Sequence, residues 1–206
     1  MTLSSTAGAN INLTGTAVTG IGQLIVNTAG ITQLGSINIS GYVQTDAAGS
    51  TVINAPITAA GANIQDAVTI LSNVTTNSLG QIYSGPVTLG SSVTLTDTSS
   101  SAIHFAGTVD GTSAGVQGLT VNTGGATSFN GAVGGTVALS TFDTDVPGSL
   151  TVGNISTVGT QHLRGTGITI GGSYNASNGA IATFGAVNLA GPTTITTGAG
   201  ATNNVA

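Results

Sequence analysis

Apolar residues along this chain come in pairs separated by a single residue, and the pairs are rich in β-branched side chains. Ile11/Leu13, Leu24/Val26, Ile37/Ile39, Val68/Ile70, Val87/Leu89, Ile103/Phe105, Leu119/Val121, Val137/Leu139, Leu150/Val152, Ile168/Ile170 and Val187/Leu189 share this form, with Val52 falling between the third and fourth. A period of two predicts strands, with both members of a pair buried on one face and the residue between them turned to solvent. Gly, Asn or Ser follows most pairs and predicts a turn. No helix is expected, because Gly is frequent and Thr and Val lose side-chain freedom in helices. The best helical window, residues 57–74, fits strand-turn-strand equally well through Ile64, Val68, Ile70 and Val74. Pro56, Pro86, Pro147 and Pro192 sit at the edges of apolar runs, where proline is tolerated.

The chain also copies itself. Leu24-Ile25-Val26-Asn27-Thr28-Ala29-Gly30-Ile31-Thr32 returns as Leu119-Thr120-Val121-Asn122-Thr123-Gly124-Gly125-Ala126-Thr127, an offset of 95 with six of nine positions identical. At an offset of 100, Val87-Thr88-Leu89 and Thr94-Leu95-Thr96 return as Val187-Asn188-Leu189 and Thr194-Ile195-Thr196. A shorter echo carries Phe105-Ala106-Gly107-Thr108-Val109-Asp110-Gly111-Thr112 to Phe129-Asn130-Gly131-Ala132-Val133-Gly134-Gly135-Thr136. Self-similarity of this kind marks stacked structural units.

Composition narrows the architecture. Charged residues make up 3% of the 206, against about 25% in ordinary domains. There is no Lys and no Glu; Arg164 is the single basic residue, and the acids are Asp46, Asp66, Asp97, Asp110, Asp143 and Asp145. Leu, Ile, Val and Phe still supply about a quarter of the chain, above the roughly 20% that a folded core requires. No apolar run approaches the ~18 residues of a membrane helix, and short strands without Trp do not resemble a transmembrane barrel. Cysteine is absent, so disulfide and thiol chemistry are excluded. The N-terminus has neither a basic n-region nor an apolar h-region. With a tail, Thr202-Asn203-Asn204-Val205-Ala206, that stops without closure, the chain reads as one segment, 1–206, of a longer repetitive protein whose export signal lies elsewhere.

A parallel β-helix satisfies these constraints together. Coils stack about 4.8 Å apart, a column of Val, Ile, Leu and Ala fills the interior, and Gly and Asn supply corner conformations. Stacked Thr and Asn make ladders without repulsion, whereas ladders of like charge would repel, which accounts for so low a charge. A β-sandwich is disfavoured by the sequence copies and by the scarcity of large aromatic side chains. The eleven steps between pairs average about 16 residues and predict 11–12 irregular coils in a rod of roughly 50–60 Å at that spacing.

The stretch Leu119-x-Val121-Asn122-x-Gly124-Gly125-x-Thr127-x-Phe129-x-Gly131-x-Val133 resembles the repeat region of giant bacterial surface exoproteins, the filamentous-haemagglutinin-like and β-strand-repeat adhesins. The likeness runs from about residue 10 to the end, and its Gly/Thr/Val motifs are of low specificity. The secretion domain that opens many such adhesins is not recognisable. The resemblance implies a right-handed coil in an extracellular shaft, at the bacterial cell surface or secreted, and it carries over no binding or catalytic residue. The partners then expected are flanking repeats of the same protein, or copies of the chain joined end to end into a filament, with a host or surface glycan as a possible ligand.

Few residues carry chemistry. Asp143-Thr144-Asp145 is the densest acid cluster, and two carboxylates at i and i+2 on a strand would share a face, as for Ca²⁺ binding or a glycosidase pair. The plainer reading is a solvated corner before Pro147-Gly148. His162-Leu163-Arg164 puts an imidazole and the single guanidinium on one face, where an acidic sugar would use both. A groove gathering Asp143, Asp145, His162 and Arg164 would favour a carbohydrate-active β-helix; scatter over separate faces would oppose it. His104 reads as a surface alternation residue. Thr94-Leu95-Thr96 and Thr194-Ile195-Thr196 resemble ice-binding arrays, but such a surface needs the motif in consecutive coils. The sequons at Asn12, Asn38, Asn73, Asn154 and Asn175 are expected by chance, and Asn130-Gly131 and Asn178-Gly179 read as turns. Phosphate loops of the Walker type need Lys, which the chain lacks, and nucleic-acid binding needs a basic footprint, which net charge −5 with one Arg argues strongly against. No catalytic, cofactor or metal residue is assigned, and a non-enzymatic structural role is expected.

Overall fold

In a computed structural model of the chain, which describes residues 1–5 and 7–198, the backbone winds into a parallel β-helix without any helix. The 57–74 window is strand throughout its core, as Ile57–Ile64 and Ala67–Ile70. The tail read from the sequence as unclosed lies outside the described residues.

Each coil has three faces. Thr2–Ser5 opens the first, Ile11–Asn12 the second and Val18–Gly20 the third, and Leu24–Thr28 returns to the first. All pairings between coils are parallel. On the second face one inward column runs through Ile11, Thr32, Thr51, Val68, Val87, Val109, Val133, Ile155, Tyr174 and Ile195. That column counts ten coils and gives a stack of about 48 Å at ~4.8 Å each.

The ten coils among the described residues fall short of the 11–12 expected, for a geometric reason. The apolar pairs do not all mark one face. Leu24/Val26 lies on the first, Ile37/Ile39 on the third and Val68/Ile70 on the second. Steps between pairs therefore mix whole coils with parts of coils. Whole coils run from 17 residues, Thr51 to Val68, to 26 residues, Val93 to Leu119.

The sequence copies differ in meaning. The Phe105/Phe129 echo is one coil apart, and both Phe105–Phe129 and Val109–Val133 are paired in register. The copies at an offset of 95 stand on different faces: Leu24–Thr28 belongs to the first face and Leu119–Thr123 to the third. They nevertheless build the same corner. The Thr28 hydroxyl donates to the carbonyl of Ala9 at 2.7 Å and accepts the Gly30 N–H at 3.0 Å. The Thr123 hydroxyl donates to Ser101 at 2.6 Å and accepts the Gly125 N–H at 3.0 Å. In the next coil Ser50 and Ser149 each donate to the corner glycine carbonyl at 3.2 Å. A Cβ on Gly49 or Gly148 would collide with those same carbonyls. The motif thus encodes a corner, not a position around the coil. The copies at an offset of 100 match in neither sense: Val87 stacks on the second face and Val187 on the first.

The interior is the expected column of Val, Ile, Leu and Ala, with an aromatic insert. Tyr83, Phe105 and Phe129 stack at centroid separations of 5.0 and 4.4 Å, and Phe142 meets Phe129 edge-on at 5.3 Å. The interior also holds polar groups near its corners, which the apolar pattern does not reveal. Asp66 is buried and its carboxylate accepts the hydroxyls of Thr45 and Thr51 at 3.0 and 2.9 Å. Asp97 is buried as well and accepts from Thr76, Ser99 and the Ser101 N–H. Gln81 bridges Tyr83 to the carbonyls of Val74 and Thr96. These bonds satisfy groups whose burial alone would be costly.

Candidate functional site

The third face carries two outward columns. One passes through Asn38, Thr58, Thr75, Thr96 and Asn122, the ladder of neutral polar residues expected from composition. The other passes through Thr94, Thr120, Asp143, His162 and Ala182. Strand alternation turns Asp143, His162 and Arg164 outward while Phe142, Thr144, Gln161 and Leu163 fill the interior.

Parallel register then brings the charged residues of neighbouring coils together. Asp143 is paired directly with His162, and its Oδ2 lies 3.0 Å from His162 Nδ1. Its Oδ1 lies 3.1 Å from an Nη of Arg164. A carboxylate only accepts, so the imidazole proton sits on Nδ1 and leaves Nε2 as an acceptor when the ring is neutral. One coil further on, Phe184 is paired with Arg164, and the guanidinium carbon lies 5.3 Å from the centre of its ring. The same ring is 6.2 Å from His162. All three polar side chains are about one-third exposed (34% for His162 and Arg164, 29% for Asp143), so each is reachable from solvent.

Asp145 does not join them. Its N–H bonds the Val121 carbonyl, and its carboxyl, raised by burial, accepts the Thr123 N–H. Asp46 holds the equivalent place at the matching corner and accepts the Thr28 N–H at 3.2 Å. The expected Asp143/Asp145 pair is therefore split into an outward carboxylate and a corner cap. Asp110 also caps backbone, accepting from Thr136 and Val137. Among the described residues Asp143 is thus the one aspartate bonded to basic side chains.

The remaining sequence candidates are dispersed. His104 lies on the first face and bonds Ser128 through Nδ1 at 2.7 Å, consistent with an alternation residue. Thr94-Leu95-Thr96 is on the third face beside Thr120-Val121-Asn122, whereas Thr194-Ile195-Thr196 is on the second beside Ser173-Tyr174-Asn175. The motif does not recur in consecutive coils, which disfavours an ice-binding array. Asn73 and Asn154 spend their side-chain carbonyls on the N–H groups of Thr94 and Ser173 in the next coil. No group of three or more metal-ligating side chains occurs among the described residues, and no described helix is long and apolar enough to cross a membrane.

Phe184 is the member of the patch that sequence reasoning missed. Its signal was available: it lies 20 residues after Arg164, one coil length, in the outward phase. No family model, curated protein or solved structure matches the chain.

Proposed function

We propose that this chain is a non-enzymatic shaft segment of a secreted bacterial surface protein, serving as a stiff extracellular spacer. The observation that carries the reading is the column of ten paired rungs on the second face. Bending such a stack requires breaking hydrogen bonds on the outside of the bend, and each face resists in its own direction. Neutral Thr and Asn ladders allow coils to stack indefinitely without charge repulsion. The likeness to surface exoprotein repeats supports the same role.

A second reading is a filament joined end to end. Phe184, Val187, Leu189 and Ile195 on the last described coil are exposed. At the other end Met1, Val18, Leu24 and Ile39 line an open hollow of about 330 Å³. An unpaired strand edge is a template for another copy, and head-to-tail contact is open-ended. Small-angle X-ray scattering over a dilution series separates the two. A thin rod of fixed length near ~48 Å supports the spacer. A rod that lengthens with concentration supports the filament, and a compact particle overturns both.

A further inference from the structure

We infer that the patch formed by Asp143, His162, Arg164 and Phe184 on the third face binds a neutral saccharide. The reasoning starts from scarcity. The chain has nine Asp, Arg and His side chains in all, and three of them meet here. It has four Phe; Phe105, Phe129 and Phe142 are buried, while Phe184 is 48% exposed beside this cluster. Stability does not account for the arrangement, since exposed ion pairs contribute little and an exposed Phe contributes less than a buried one.

The chemistry fits a sugar. An exposed aromatic ring offers an apolar face to the C–H groups of a pyranose. Around it stand a carboxylate whose oxygens retain acceptor capacity, a guanidinium with further N–H donors, and the imidazole acceptor. Charge-assisted bonds of this kind are roughly twice as strong as neutral ones. Asp143 sits between Arg164 and His162, so an anionic ligand meets a carboxylate at the centre of the patch. That position turns the preference away from the acidic sugar that the His162-Leu163-Arg164 sequence suggests alone, and toward hydroxyl groups. Along the same two columns, Thr120 with Asn122 and Thr94 with Thr96 extend the hydrogen-bonding surface across two further coils. An oligosaccharide laid along the rod would use both parts. The site rests on the spacer reading, because end-to-end joining would cover Phe184 together with the rest of the last described coil.

The test is saturation-transfer difference NMR on the full chain with neutral probes (xylo-, cello-, malto- and chito-oligosaccharides) and with oligogalacturonate as the acidic probe. Transfer to at least one neutral probe, at affinity of about millimolar or better, is expected. Phe184→Ala and Asp143→Asn should each weaken it by about tenfold or more. Phe184→Trp should retain it, and unchanged circular dichroism and melting establish that each variant folds. No transfer from any neutral probe overturns the proposal. So does a preference for oligogalacturonate, or neutral binding that survives Phe184→Ala in a folded protein.

Discussion

Phe105 lies face to face on Phe129, with ring centres 4.4 Å apart and planes only 4° from parallel. The two residues are 24 apart in sequence and one coil apart in space. The stack continues to Tyr83, whose hydroxyl is held by Gln81 at 2.8 Å. Burial without access to water pushes the Tyr83 phenol far above its ordinary range, so it stays protonated and keeps that bond. Phe105→Ala should cost about 3–5 kcal/mol, the range for deleting a buried aromatic side chain. Phe184→Ala, on the exposed face, should stay within about 0.5 kcal/mol. Urea unfolding followed by circular dichroism compares them. Equal midpoints for the two variants would show that the aromatic stack does not hold the central coils.

Thr28 and Thr123 make a second, independent prediction. Their corners have matching hydrogen bonds although they stand on different faces. Thr→Val at either site removes a hydroxyl that both donates and accepts, and leaves a carbonyl and an N–H at a partly buried corner short of a partner. Each change should cost about 0.5–1.5 kcal/mol. The two costs should be similar, and they should add in the double variant because the sites are several coils apart. A large difference between them would mean that position around the coil, rather than the local corner, sets the energy.

The legible part of the sequence was the part with short period. Apolar pairs such as Val87/Leu89 specify strands and an inward face, and the poverty of charge specifies ladders, so the parallel β-helix follows from local pattern. The number of coils was less legible because Leu24/Val26 and Ile37/Ile39 look alike in sequence yet occupy different faces. Register is a property of the stack, and it alone brings Asp143 opposite His162 and Phe184 beside Arg164. Asp145 shows the reverse case. Its spacing from Asp143 suggested a pair, but the chain turns after Thr144, and the second carboxylate is spent on the Thr123 N–H. Asp66 was hidden for a similar reason, because an acid in an interior is foreseen only when the Thr45 and Thr51 hydroxyls that donate to it there are known.

Asp66 and Asp97 should give opposite pH dependence. Burial raises the Asp66 carboxyl above its ordinary value, against the pull of the Thr51 and Thr45 hydroxyls. The folded state therefore binds this proton more tightly than the unfolded state, and stability declines as pH rises through the raised folded value. At Asp97 burial also pushes upward, but bonds from the Ser101 N–H, the Thr76 hydroxyl and Ser99 outweigh it and lower the value. That contribution is complete above the unfolded carboxylate value of about 4 and is lost as pH falls through the folded one. Asp97→Asn should cost about 1–3 kcal/mol at neutral pH and converge with the parent in acid. Asp66→Asn should lie closest to the parent in acid, where the parent carboxyl is protonated, and gain on it toward neutral pH. Melting curves from acid to neutral pH check both, and parallel profiles for the two variants would contradict the assignment.

Arg164 is the single site at which trypsin can act, and its place in the fold makes cleavage a measure of local opening. It lies within the strand Gln161–Ala176, paired with Phe184 on one side and bonded to Asp143 on the other. A protease needs several residues of extended, unpaired chain, so the coil must open before Arg164 can enter an active site. The native rod should resist trypsin, while the chain unfolded in urea should be cut once, after Arg164. Asp143→Ala removes a partly exposed pair worth about 0–1 kcal/mol, so it should speed native cleavage by no more than about fivefold. A native chain cut as fast as the unfolded one would show that these coils open freely. A spacer with such coils could not transmit force along its length, and the stiff-shaft reading would fail with it.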